Sequence, residues 1–291
     1  MKRISVQDIM ARKVIGVDYE TKVDEIIKIM GEKKIGSIVI LDKEKPVGMI
    51  TIRQLLQIAE KCTPPASLKA GDVMSSPVIT VQPNVNLRQA SILMLQKGIK
   101  KLVVEENGKL IGLLTTTDIE RVFIPLNSVF DILKDESAMS VALREEFQKD
   151  MEQKLVEELM TKDVKTITIS MKINEIAKIM NQTKIGSLIV TKDEKAIGIV
   201  TDVDIMRRIM NFGLDPCSVT AEEAMEDLVT IFPKDSLKSA VEKMIDKTVK
   251  KLGVIDSNEA LVGIITTTDF LVYYRSLLFR PKILDKIKRN I

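Results

Sequence analysis

Apolar residues along this chain fall into a helical rhythm, then into two strand-like runs, and the pattern returns four times. Val23, Ile26, Ile27 and Met30 stand at the i, i+3, i+4, i+7 spacing of one helix face. Leu87, Ala90, Ser91 and Met94 repeat that spacing, as do Ile173, Ile176, Ala177 and Met180, and Leu237, Ala240, Val241 and Met244; a methionine closes each stripe. Ahead of the second stripe, Val78-Ile79-Thr80-Val81 follows Pro77 and reads as a short β-branched strand. Behind it, Leu102-Val103-Val104 and Leu110-Ile111-Gly112-Leu113-Leu114 flank a polar stretch containing Asn107-Gly108, the residue pair of a tight hairpin turn. Thr115-Thr116-Thr117-Asp118 then opens a second helix. The predicted repeat is β-α-β-β-α, preceded by a short helix that ends at a further methionine.

That leading methionine sets the period. Met10, Met74, Met160 and Met225 precede Gly48, Gly112, Gly198 and Gly263 by 38 residues each, and every one of these glycines begins a Gly-apolar-apolar-Thr segment. The copies are nested: Lys34-Ile35-Gly36-Ser37 recurs at Lys184 to Ser187, and Ile99-Lys100-Lys101-Leu102 is echoed by Val249-Lys250-Lys251-Leu252, both 150 residues on. A pair was duplicated. The fold class is therefore α/β, with four tandem β-α-β-β-α repeats in two pairs. Residues 1–124 hold the first pair (repeats 5–60 and 70–124), and residues 155–275 hold the second (repeats 155–210 and 221–275). In the fourth repeat the first strand starts one residue early and the hairpin loop is one residue longer, so the departures fall in loops. A repeat of about 60 residues has too little interior to stand alone, so packing in pairs is expected. Residues 125–154 contain one proline, Pro125, and no glycine, and read as a connecting helix; residues 276–291 read as a basic tail.

Composition narrows the functional classes. With 45% apolar residues and 3% aromatic, the core is built mainly from Ile, Val, Leu and Met. No apolar run reaches the roughly 18 residues of a membrane span, and Met1-Lys2-Arg3 does not lead into a signal-peptide core, so a cytoplasmic protein off the membrane is expected. Cys62 and Cys217 are the only cysteines, they lack CxxC spacing, and the chain has no histidine, so neither a disulfide framework nor a zinc site is expected. The net charge of +3 divides into +5 over residues 275–291 and −2 elsewhere. That end can contact nucleic acid, or simply close a solvated helix whose dipole it complements.

Chemistry is concentrated at one corner of each repeat. The third strand ends at a threonine, Thr51, Thr115, Thr201 or Thr266, and three residues on stands Gln54, Asp118, Asp204 or Asp269. Threonine followed by an acid at the third position is a capping box, in which both side chains satisfy orphan N–H groups of a helix start. It also suits a ligand: the first-turn N–H groups and the hydroxyl face an anion, and the carboxylate accepts from a sugar diol. Both readings stand at this level. Gln54 suits the cap but not the diol, because it offers one acceptor where two are needed. The sequence contains no histidine, phosphate-binding loop or nucleophile elbow, and no cofactor is expected.

These motifs resemble a stand-alone protein of four CBS domains, that is, two Bateman modules. The resemblance is carried by the element order, by the pairing, and by Gly-apolar-apolar-Thr-x-x-Asp at Gly112 to Asp118, Gly198 to Asp204 and Gly263 to Asp269. It implies repeats paired through their sheets, with clefts for adenosine-containing ligands such as AMP, ADP, ATP or S-adenosylmethionine, serving as a non-catalytic sensor of energy or metabolite state. Asp118, Asp204 and Asp269 would hold ribose, Thr115, Thr201 and Thr266 would approach phosphate, and Thr80, Thr166 and Thr230 would lie near adenine. Gly16 replaces that last threonine in the first repeat. Lys100 and Lys101 would serve the cleft of Thr51 and Gln54, and Lys250 and Lys251 that of Asp204, the cleft with every element present. The resemblance further implies a regulated protein partner and leaves a homodimer open. Two other readings remain: a nucleic-acid-binding regulator acting through the basic end, and a scaffold whose aspartates are only caps.

Overall fold

The computed structural model describes residues 4–123 and 149–278. Most of the expected connecting helix and of the basic tail lies outside the described residues. Repeat one runs β1 (Gly16–Asp18), α1 (Val23–Glu32), β2 (Ser37–Asp42), β3 (Lys45–Thr51) and α2 (Ile52–Glu60). Repeat two runs α3 (Ala70–Val73), β4 (Thr80–Val81), α4 (Leu87–Lys97), β5 (Lys101–Glu106), β6 (Lys109–Thr115) and α5 (Thr116–Phe123). Repeat three runs β7 (Thr166–Thr168), α6 (Ile173–Thr183), β8 (Ser187–Lys192), β9 (Lys195–Thr201) and α7 (Asp202–Asp204), which continues as a π turn over Ile205–Ile209. Repeat four runs α8 (Ala221–Ala224), β10 (Glu226–Asp227), β11 (Thr230–Ile231), α9 (Leu237–Asp246), β12 (Lys251–Ile255), β13 (Leu261–Thr266) and α10 (Thr267–Leu278). Short 3₁₀ turns, Val6–Asp8 and Val156–Glu158, lead repeats one and three.

In each repeat the strand before the long helix pairs in parallel with the strand after it, as a helical crossover requires; the hairpins β2–β3, β5–β6 and β12–β13 pair antiparallel, and β10 pairs antiparallel with β9 of repeat three. The helical stripes are buried as their spacing predicts: Val23, Ile26, Ile27 and Met30 are fully enclosed, as are Ile173, Ile176, Ala177 and Met180. Ser91 is the one polar member, and its hydroxyl is satisfied by donating to the Leu87 carbonyl at 2.8 Å. The hairpin turns at Asn107-Gly108, where both φ angles are positive (52° and 77°). The strand expected over Val78–Val81 is shorter than its sequence suggests. Only Thr80 and Val81 join the ladder, because the Val78 N–H turns away to the Val47 carbonyl of the other sheet at 3.3 Å.

The 38-residue period has a physical partner, and it lies in the neighbouring repeat. A Cβ on Gly112 would overlap the Met10 sulfur, one on Gly48 the Met74 sulfur, and one on Gly263 the Met160 sulfur. The leading segments of repeats one and two are thus exchanged, each laid across the other's third strand, with Ala11 bridging Leu113 and Ser75 bridging Met49. Thr161 bridges Ile264 in the same way. Between the first two sheets, Val39, Met49 and Val103 form a shared core with Leu41, Val78, Leu110 and Leu113 around them.

The described residues gather into two compact units: residues 4–123 with 169–188 and 200–225, and residues 149–168 with 189–199 and 226–278. In the first, α2 packs along α6, and the Asn181 side-chain amide donates to Glu60 at 2.8 Å. A disulfide joins Cys62 to Cys217 in this unit, with Cα atoms 5.8 Å apart. This corrects the expectation from composition. Two cysteines far apart in sequence make no framework by spacing, but the packing of repeat one against helices of repeat three brings them together. In the second unit Met151 is buried with Val156, Leu237, Val241 and Phe270.

Candidate functional site

Each third strand delivers its threonine, in extended backbone, to the start of a helix, where it acts as the N-cap (Thr51 φ −124°, Thr201 φ −112°). At Thr201 the backbone N–H donates to Asp204 Oδ2 at 2.9 Å, the hydroxyl donates to the same oxygen at 2.6 Å, and the Asp204 N–H donates back to the hydroxyl at 3.2 Å. Thr115 and Asp118 repeat this at 2.9, 2.6 and 3.2 Å. Thr266 donates twice to Asp269 Oδ2, at 2.7 Å from N–H and hydroxyl alike. Thr51 donates its N–H to Gln54 Oε1 at 2.9 Å and its hydroxyl to the same atom. The capping reading is therefore realised in all four repeats, and the side chains of all four corners are half-buried.

The cap leaves acceptor capacity. A carboxylate offers about four lone-pair sites, and the cap uses two, both on Oδ2. Among the described residues Asp204 Oδ1 and Asp269 Oδ1 accept no hydrogen bond. Those two oxygens retain the two acceptor sites a vicinal diol needs. Gln54 has only its amide N–H₂ left after capping, which is a donor.

The lysines bracket the same corners. The Lys100 carbonyl accepts from the Thr116 N–H at 3.0 Å, and the Lys250 carbonyl from the Thr267 N–H at 3.0 Å, so each sits at the helix start of its own repeat. Lys101 points across: its Nζ donates to the Gly36 carbonyl at 3.4 Å, an oxygen that also accepts from the Ile52 N–H at 3.4 Å. Lys101 is thereby placed beside the Thr51 corner. Its burial lowers its pKa below the usual lysine value, and no carboxylate pairs with it among the described residues. Lys251 lies at the start of β12, paired with Thr266.

Of the threonines expected near adenine, Thr80 pairs with Val103, Thr166 with Ile189 and Thr230 with Gly253. Thr80 lines an open depression of about 430 Å³ with Val81, Gln82, Val85, Gln89, Ala90 and Leu93. Neither Asp118 nor the lysines line it, so the structure does not unite Thr80's cavity with the Asp118 corner. Two features were beyond sequence reading. The helix after Asp204 passes into a π turn, and Arg207 Nε within it is buried without a hydrogen-bond partner among the described residues. No periodic signal marks either.

Comparison with known proteins gives the family. The model of the CBS domain matches four times, at residues 6–61, 70–124, 156–211 and 221–276. An uncharacterized protein of Methanopyrus kandleri is 38% identical over 118 residues, 40% of this chain and 60% of that protein. Protein MJ1225 of Methanocaldococcus jannaschii is 26% identical over 199 residues, 67% of each chain. A further uncharacterized protein of that organism, 31% identical over 144 residues, is matched over 40% of its length. The crystal structure of MJ1225, proposed as an archaeal homolog of g-AMPK, superposes with a TM-score of 0.64 at 22% identity, covering 93% of this chain and all of that one. Among the described residues no helix is long and apolar enough to cross a membrane.

Proposed function

Because this chain belongs to the CBS-domain family and carries four CBS domains, we propose that it is a non-catalytic regulatory protein that binds an adenosine-containing ligand, an adenine nucleotide foremost, at its Thr-x-x-Asp corners. The observation that carries this reading is the division of labour within one carboxylate: Asp204 and Asp269 cap their helices with Oδ2 and keep Oδ1 for a ribose diol. Cap and ligand site are then one group doing two tasks.

The rest of the ligand follows from charge. The helix N-termini at the Thr201 and Thr266 corners favour an anion, and the lysines before the second strands add positive charge for phosphate. That balance favours a nucleotide over the cationic S-adenosylmethionine. Two diol bonds to a carboxylate contribute roughly 1.5 to 3 kcal/mol each, against about 8 kcal/mol for micromolar affinity, so purine burial and phosphate contacts must supply the remainder. Thr80, Thr166 and Thr230 are assigned to the purine side, and Thr115 with Asp118 forms the corresponding corner of repeat two. The first repeat's corner, with Gln54, is assigned a phosphate contact through Lys101 at most.

A thermal-shift panel of AMP, ADP, ATP and S-adenosylmethionine on the full chain tests the reading. At a free concentration 100 times the dissociation constant, stabilisation should reach about 2.7 kcal/mol. It should be lost in the combined Asp118→Asn, Asp204→Asn, Asp269→Asn variant, whose amide oxygens still cap the helices and leave the unliganded melting point nearly unchanged. Equal nucleotide stabilisation of this variant would reduce the aspartates to caps.

A further inference from the structure

The Cys62–Cys217 disulfide lies where two helices end. α2 begins at the Thr51 corner and runs to Glu60, and Cys62 follows two residues later. The helical stretch that begins at the Thr201 corner runs through α7, the π turn and a 3₁₀ turn to Phe212, reverses at Gly213 (φ 68°) and reaches Cys217. One covalent bond therefore ties together the far ends of the two helices whose near ends are the capping corners of repeats one and three. It spans 155 residues of chain, within a unit where α2 also packs along α6, the stretch 202–212 packs on α1 and α2, and Asn181 bonds to Glu60.

The bond is also open to attack. Cys217 is exposed and Cys62 half-buried, so a thiolate can reach sulfur from solvent. Cys62 sits at φ 50°, a left-handed conformation that costs energy in a residue other than glycine, and the end of α2 holds it there through the Cys62 N–H to the Ala59 carbonyl (3.2 Å) and the Thr63 N–H to the Ile58 carbonyl (3.3 Å). The Asp215 side chain lies beside both sulfurs, its carboxylate and the two Sγ atoms all within 4.8 Å of one another, and its Oδ1 accepts from the Cys217 N–H at 3.0 Å. A carboxylate at that distance disfavours thiolate, both as attacking group and as leaving group, and so slows exchange.

We propose that Cys62–Cys217 is a reversible redox clasp, closed by a low-molecular-weight disulfide and released by a dithiol, that fixes the helices of repeat three onto α2. Release is two successive exchanges. A dithiol thiolate attacks one cysteine sulfur and expels the other as thiolate; the second thiol of the reagent then displaces the first cysteine, leaving two protein thiols and a cyclic reagent disulfide. Two electrons pass to the protein and two protons follow. This inference does not depend on the ligand reading, because its readouts need no nucleotide.

The test uses the full chain. Under denaturing, non-reducing conditions a thiol-specific label should add to no cysteine, and after incubation with dithiothreitol it should add to both. The reduced chain should melt lower by ~5–10 °C, as expected for opening a long cross-linked loop, and an oxidised low-molecular-weight disulfide should restore the original value. Hydrogen exchange of residues 52–60 and 205–212 should accelerate on reduction. Cys62→Ser and Cys217→Ser should each melt like the reduced wild type and ignore dithiothreitol, and Asp215→Asn should be reduced severalfold faster. Two labelled cysteines without reductant, or a melting point and exchange pattern unmoved by reduction, would overturn the proposal.

Discussion

At the scale of residues, the corner threonine and its acid show why a capping motif alone decides nothing about ligands. The pattern Thr-x-x-Asp was legible, and so was the weaker case of Gln54, because donor and acceptor counts follow from side-chain chemistry. Which oxygen the cap consumes was not legible; that depends on how the strand delivers Thr201 and Thr266 to the helix. Lys101 illustrates a second limit. Its place before β5 is visible in sequence, but its burial and its reach to Gly36 arise only when the two repeats pack. Since burial lowers its pKa, the folded chain gives up this proton before the unfolded chain does, so this residue's destabilising effect is complete at neutral pH and eases as pH rises from the folded pKa towards 10.5. Lys101→Met should therefore raise the melting point at pH 7, and the advantage over wild type should shrink in melts run near pH 10. An advantage that grew with pH would contradict the assignment.

At the scale of elements, helix periodicity was the most reliable signal. All four stripes identify buried faces because a 3.6-residue period reports burial directly. The first strand of repeat two was overextended, since β-branched residues such as Val78 mark a strand without saying which sheet will take their hydrogen bonds. The Met-to-Gly period was visible as a number and opaque as a contact: a repeat spacing is the same whether the methionine packs in its own repeat or, as here, in its neighbour's. The exchange makes a prediction. Gly112→Ala should destabilise by about 1 to 3 kcal/mol, because its methyl group would meet the Met10 side chain and, at 3.1 Å, the Ala11 carbonyl. Adding Met10→Ala should recover part of that loss in a double-mutant cycle followed by denaturant melts. Strict additivity of the two changes would mean that the exchanged segment is not where the packing places it.

At the scale of the whole molecule, four repeats and their α/β class followed from self-similarity, and family membership rests on the same four segments. The association of repeat-one and repeat-three helices did not follow. It is written in faces such as α2, amphipathic in sequence but silent about its partner, and that is also why the meeting of Cys62 and Cys217 escaped a reading by spacing. Pairing of remote segments is the level at which one chain, read alone, carries least information. The proposed function spans all three scales, because repeats present corners, three corners present carboxylates, and the caps at Asp204 and Asp269 use only Oδ2.

The most direct measurement is calorimetric titration of the full chain with AMP and, in parallel, with 2′,3′-dideoxy-AMP, which keeps the purine and phosphate but lacks the diol. With two hydrogen bonds to a carboxylate at stake, the dideoxy compound should bind at least about tenfold more weakly to the wild type, and the triple Asp→Asn variant should no longer distinguish the two. Equal affinity of the wild-type chain for both compounds would contradict ribose recognition by Asp204 and Asp269.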